Sequence, residues 1–197
     1  MASKRRDIIL QTAMQLFNEQ GASNVTTNHI AAAMEISPGS LYYHFRNKEQ
    51  IIAALVEQMV TDWDMIYEID VASFQLEDLR NMQRHNLALQ WKYRFFYREV
   101  PLLLSKDPAL KERYFAIRDA RVQQQVALAH ALAAAGRWKL PEPQELERLF
   151  NISWMLGDSW LAFQELEADW DIENYQIHLE RGVEHLLTLY RPYFIAD

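Results

Sequence analysis

Apolar residues recur at three- and four-residue intervals along almost the whole chain, and no alternating strand pattern competes with them. That period restricts the fold more than any single motif does, and it predicts an all-α protein. In "KRRDIILQTAMQLFNEQG", Ile9, Ala13, Leu16 and Phe17 share one helix face, with Ser3 available as N-cap and Gly21 placed to end the helix. "TTNHIAAAM" predicts a short second helix, capped by Thr26 or Thr27, that buries Ile30 and turns the small Ala31 toward its packing partner. A third short helix starts at Ser37, an N-cap followed by Pro38 at a position that needs no N–H, with Leu41 and Phe45 as one apolar edge. Asn47 caps a fourth helix expected from Lys48 to about Tyr67, striped by Ile51, Ile52, Leu55, Val56 and Met59. Further helices are expected over 73–100, 107–136, 142–168 and 173–193, the first two open to subdivision. The breaks are marked by Pro101, "KDP", "GRWKLPEP" and "EADWDIEN".

The third helix displays an unusual set. At 100° per residue, Gly39, Ser40 and Tyr43 point away from the Leu41/Phe45 edge and Tyr42 lies on the flank, while His44 and Lys48 sit where a phosphate could be held. Gly39 permits close approach of the helix start to another surface, and the hydroxyls can bond to base edges or phosphates. Two short helices joined by a tight turn match a helix-turn-helix whose second helix enters the major groove. The net charge of −7 argues against a polyanion partner for the molecule as a whole. Its distribution differs: residues 1–50 hold five Lys/Arg against four Asp/Glu, and residues 51–197 hold 15 against 23. Positive charge gathers at Lys4, Arg5 and Arg6 and again at Arg46 and Lys48.

Read together, "RRDIILQTAMQLFNEQGASNVTTNHIAAAMEISPGSLYYHFRNKEQII" resembles the DNA-binding domain of the TetR family of bacterial transcriptional regulators. The resemblance implies DNA-contact roles for Thr26 or Thr27, Pro38, Gly39, Ser40, Tyr42, Tyr43, His44 and Lys48. It also implies a homodimer, a DNA-binding domain over 1–48 and a helical effector-binding and dimerisation domain over 49–197. One departure stands out: the family commonly has glycine in the turn where this chain has Glu35. A left-handed backbone there costs glutamate about 1 kcal/mol more than glycine.

In the C-terminal region, "LFNISWMLGDSWLAFQEL" is apolar around much of its circumference and "YQIHLERGVEHLLTLY" carries a long stripe. Trp154, Gly157, Leu161, Leu179, Gly182, Val183, Leu186 and Tyr190 are expected at a dimer interface shaped as a four-helix bundle, the alternative being an intramolecular core. Gly157 and Gly182, mid-helix glycines that each cost up to about 1 kcal/mol, point to close helix approach. Twenty of the 24 aromatic residues follow residue 50. Trp63, Tyr67, His85, Trp91, Phe95, Trp154 and Asp158 are the expected lining of an effector cavity. The effector is expected to be apolar or amphipathic and uncharged or weakly cationic, unless Arg84, Arg94 or Arg98 turns inward and favours a carboxylate.

There is no cysteine, no signal-like start and no apolar run of about 18 residues, so a cytoplasmic protein without a membrane span is expected. No catalytic motif or metal-ligand spacing occurs, so neither enzyme activity nor a metal or other cofactor is expected. The reading is a dimeric repressor on a near-palindromic double-stranded DNA operator, released by a small-molecule effector. The alternative is a helix-turn-helix activator or architectural protein without one.

Overall fold

The computed structural model describes residues 2–64, 69–167 and 171–195. The regular structure among them is helical: α1 (Ala2–Gln20), α2 (Thr27–Ala33), α3 (Pro38–Tyr42), α4 (Lys48–Asp64), α5 (Leu76–Lys92), α6 (Arg94–Lys106), α7 (Pro108–Ala134), α8 (Pro143–Gln164) and α9 (Tyr175–Tyr190), with short 3₁₀ turns at Ile172–Asn174 and Arg191–Tyr193. The all-α expectation holds. Tyr67, the expected end of the fourth helix and one expected cavity residue, lies outside the described residues, as does the side chain of Ser3.

Contacts divide the chain into two compact units, Met1–Met65 with Tyr93–Lys111, and Ile66–Lys92 with Glu112–Asp197. The first holds α1 to α4 and α6. Ile9, Leu10, Ala13, Phe17, Ile30, Leu41, Ile51 and Leu55 are fully buried in it, each large apolar side chain contributing about 1.5–3 kcal/mol. From α6, Phe95 packs its ring 5.4 Å from that of Phe17.

The break expected at Pro101 lies instead at Tyr93, and Pro101 sits inside α6. An interior proline costs about 3 kcal/mol. Burial of Phe95, Phe96 and Tyr97 before it and of Leu103 and Leu104 after it offsets that cost. The next break falls where "KDP" placed it: Asp107 Oδ1 accepts from the N–H groups of Ala109 and Leu110, both at 3.0 Å, and Pro108 is the first residue of α7. Gly136 at φ +73° follows the end of that helix.

The second unit packs α5 and the described parts of α7, α8 and α9 around Leu87, Leu146, Phe150, Val183, Leu187 and Tyr190. Arg84 on α5 forks onto Glu180 of α9 at 2.6 and 3.0 Å, and Arg80 pairs with Glu184 one turn later. These pairs are substantially exposed and fix register more than they add stability.

At residue level the dimer expectation requires correction. Leu161, Leu179, Val183, Leu186 and Tyr190 are buried in the core of a single chain, so they have no surface left to give to a partner. Gly182 lies beneath Trp160 and Leu87, and Gly157 faces Gln90. The close approach that explains both glycines is intramolecular. Trp154 is partly buried and donates to Tyr114 and Asp158. The apolar residues that α8 leaves exposed are others, Ile152, Met155 and Phe163, followed by Leu166 just past its end.

Candidate nucleic-acid interface and ligand cavity

Thr26, not Thr27, caps α2: its hydroxyl accepts from His29 N at 3.3 Å, and His29 Nδ1 accepts from Thr26 N at 3.4 Å. This is a capping box with histidine in the reciprocal position. Thr27 is left partly buried, its hydroxyl 3.3 Å from that of Tyr42. After α2 the chain turns through Glu35, which at φ +54° is in the left-handed region despite being a non-glycine residue, as the glycine departure predicted. Ile36 N donates to Ala31 O at 3.0 Å and closes the turn. Ser37 Oγ then accepts from Ser40 N at 3.2 Å and starts α3.

With Leu41 and Phe45 buried, α3 has one possible outward face. Pro38 and Gly39 are exposed on it, Ser40 is partly so, and a Cβ on Gly39 would meet nothing closer than Ser37 Oγ at 4.0 Å. Tyr42 is exposed and Tyr43 is 82% exposed, with the partly buried His44 ring edge-on to it at 5.2 Å. Lys48 Nζ donates to Ala22 O at 2.6 Å, which anchors the start of α4 to the loop after α1 and leaves the ammonium two further protons. Arg6 lies over the Phe45 ring at 5.0 Å. The sequence-predicted DNA residues thus gather around one short helix.

Residues that sequence reasoning missed tie α6 into this unit. Asn18 is buried at the end of α1, and its Oδ1 accepts from Phe95 N at 3.0 Å while its carbonyl accepts from Arg98 at 2.8 Å. Glu99 accepts from both the hydroxyl and the N–H of Ser23, the latter at 3.1 Å. Tyr93, at the start of α6, donates to Asp62 of α4 at 2.7 Å. Partners 76 residues apart leave no local signal.

The cavity candidates are dispersed. Trp63 lies on α4 and Phe95 is fully buried against Phe17, both in the first unit. In the second unit Trp91 does line a cavity, together with Leu87, Gln90, Trp160, Leu161, Gln164, Tyr175, His178 and Leu179, from α5, α8 and α9. His85 is on α5 but outside that lining, its Nε2 buried without a hydrogen-bond partner. Trp154 and Asp158 form a separate cluster on α8, where Tyr114 donates to Asp158 and Trp154 Nε1 lies 3.1 Å from the same carboxylate oxygen. Burial pushes the Asp158 carboxyl up to about 7. Leu87, Gln90, Trp160, Gln164, Tyr175 and His178 were missed, and Leu161 and Leu179 were expected at the dimer interface instead. Leu87, Gln90 and Trp91 share a readable face, as do Trp160, Leu161 and Gln164, but nothing local says that these faces meet.

The cavity measures about 20 Å³, room for one water. Its lining contains no Asp, Glu, Lys or Arg. Trp91 and Tyr175 stack at 4.6 Å with an interplanar angle of 8°, and His178 Nδ1 is 2.9 Å from Gln164 Oε1. No group of three or more His, Cys, Asp or Glu that could hold a metal occurs among the described residues, and no helix among them is long and apolar enough to cross a membrane.

Comparison with known proteins connects this geometry to a family. Residues 9–55 match the family described as bacterial regulatory proteins, tetR family, and residues 49–196 match the one described as bacterial transcriptional repressor. A TetR-family transcriptional regulator from Marinobacter aquaeolei is 33% identical and superimposes with a TM-score of 0.82, over 96% of this chain and 91% of that one. An HTH-type transcriptional repressor from Mycobacterium tuberculosis is 29% identical over 153 residues, 76% of this chain and 79% of that protein. The class C tetracycline repressor protein of Escherichia coli is 34% identical over 61 residues, 31% of this chain and 28% of that protein.

Proposed function

Because the chain belongs to the TetR family of bacterial transcriptional regulators, we propose that it is a cytoplasmic repressor that grips a near-palindromic operator as a homodimer and lets go when a small apolar or amphipathic molecule binds its C-terminal domain. The domain division at residue 48 belongs to this proposal. The observation that carries it is the outward face of α3, where Gly39, Ser40, Tyr42 and Tyr43 stand clear of a buried Leu41/Phe45 edge beside Thr27, His44 and Lys48. Such a face has no packing role to explain it. It suits direct readout, with backbone-positioning contacts from Thr27 and Lys48 on its margins.

Dimerisation uses the exposed row Ile152, Met155, Phe163 and Leu166, which burial against a second copy would remove from water. Release works through α6. Its hydrogen bonds to Asn18 and Ser23 of the α1 region, with that of Tyr93 to α4, make any shift of this helix a shift of the reading unit. The effector changes the separation of the two α3 helices until both can no longer enter successive major grooves.

Gel-shift titrations at several salt concentrations test this. A specific duplex should be preferred over random DNA, and Lys48→Ala should weaken all sequences alike and lower the log–log salt slope by about one. Tyr43→Ala should instead erode discrimination. A protein that holds no duplex above random DNA refutes the reading, and an operator that is held but never released by any cavity-binding molecule turns it into the effector-free alternative.

A further inference from the structure

We propose that the cavity between α5, α8 and α9 takes a neutral, flat aromatic molecule carrying one hydroxyl or N–H donor, with the Gln90 carboxamide oxygen as the group that reads the donor. The inference rests on the effector reading above and names the chemical class of that effector.

Gln90 is 7% exposed, lines the cavity, and its Oε1 is buried without a hydrogen-bond partner. Buried acceptors are almost always paired, because an unpaired one has given up its water for nothing. The carboxamide also has a site made for it. A Cβ at Gly157 would stand 3.3 Å from Gln90 Nε2, so glycine in the middle of α8 leaves the amide room against the helix backbone. Gly182 does the same for the opposite wall, since a Cβ there would fall 2.6 Å from the Trp160 indole. Two costly helix glycines thus hold a hydrogen-bonding group and an aromatic plate at one cavity.

The remaining walls decide the ligand. Trp91, Tyr175 and Trp160 line it with aromatic rings, the first two stacked on each other at 4.6 Å, and Leu87, Leu161 and Leu179 close the rest. Such walls favour a planar ring, which gains offset stacking beyond its buried area. No charged side chain lines the cavity, so an ionised ligand would lose its hydration with no counter-charge. The polar pair His178 and Gln164 is bonded to itself at 2.9 Å. With room for one water, the cavity admits a ring by parting the Trp91 and Tyr175 rings, both of which are only partly buried. Tyr175 is the first residue of α9, and Trp91 precedes by two residues the Tyr93 whose hydroxyl holds Asp62.

The test uses indole and 1-methylindole, which share a ring system and differ in the N–H donor, titrated calorimetrically into the full-length protein and into Gln90→Leu and Gln90→Met. The expected result is about tenfold tighter binding of indole than of 1-methylindole to the parent protein, falling to less than about twofold in either variant while 1-methylindole binding persists. Indole-3-carboxylate and benzyltrimethylammonium should bind at least about tenfold more weakly than indole. Equal affinity for the two indoles, a preference that survives loss of Gln90, tighter binding of either ion, or no saturable binding at all would each overturn the inference. Operator gel shifts with the same probes separate the two layers. Donor-selective binding that leaves operator affinity unchanged supports the site and refutes the effector reading, whereas release by some other molecule with no indole binding refutes the site alone.

Discussion

In the first unit Tyr43 stands 82% exposed on a helix whose opposite edge is sealed in a core; in the second, Gln90 is 7% exposed and faces a cavity walled by three helices. The first surface is displayed by one short stretch of chain, residues 37–48, once Leu41 and Phe45 are buried. The second exists only where α5, α8 and α9 meet, and no one of those helices possesses it. A displayed site therefore tolerates substitution structurally and fails functionally, while an enclosed site is part of the core that holds it. Four contrasts test that difference.

The largest effect is expected from the apolar cores. Leu187→Ala, at a fully buried position of α9, should cost about 2–5 kcal/mol of unfolding free energy in urea titrations. Tyr43→Ala should stay within about 0.5 kcal/mol of the parent protein and lose operator discrimination instead. A Tyr43 variant as unstable as the Leu187 one would end the distinction.

Next is the pH dependence of the second unit. Asp158 ordinarily titrates near 3.8 and in the folded chain is pushed up to about 7 by burial. Between those values the folded chain holds a proton that the unfolded chain has released, so stability falls as pH rises from about 4 to 7 and levels off above. We expect about 2 kcal/mol of loss across pH 5 to 7, discounted because Asp158 is partly exposed and accepts from Tyr114 and Trp154. Asp158→Asn keeps an acceptor for both donors, and it should abolish the slope in denaturant titrations at a series of pH values.

Two glycines give the third contrast. Gly182→Ala drives a methyl into Trp160 and Leu87, and after a propensity gain of up to about 1 kcal/mol should still destabilise by about 1–2 kcal/mol. Gly39→Ala meets nothing closer than Ser37 Oγ at 4.0 Å, so thermal stability should hold or rise slightly with the helix-propensity gain while operator affinity falls, because the methyl holds the helix off the DNA.

The smallest effect belongs to Glu35. At φ +54° glycine relieves strain, partly offset by greater freedom in the unfolded chain, and Glu35→Gly should gain about 0.5–1 kcal/mol. Operator binding should persist, since the turn geometry is kept. A loss of stability there would mean that the glutamate side chain makes a contact worth more than the strain.

What could be read in advance follows the same division. The cap at Ser37, the cap at one of Thr26 and Thr27, the break at "KDP", the stops at Gly21 and Gly136, and the outward face of α3 each depend on residues within about four positions of one another, and they fall where the sequence placed them. The strained turn at Glu35 was legible from its departure from glycine. Pro101 misled because a local breaking signal was overridden by burial on both sides of it.

The sequence by itself determined the helices, their ends and which short helix would show its polar edge, because helix period, capping and backbone conformation are energies paid within a turn or two of chain. Tertiary structure alone decided that the stripe of Leu179, Val183 and Leu186 turns inward and leaves Met155 and Phe163 outside, that Asn18 meets Phe95, and that Gln90 faces a cavity. An apolar stripe states only that a face must leave water. Whether it is covered by the same chain or by another, and which polar group is left at the join, depends on how rotated helices interlock, and that is settled by packing among residues tens of positions apart.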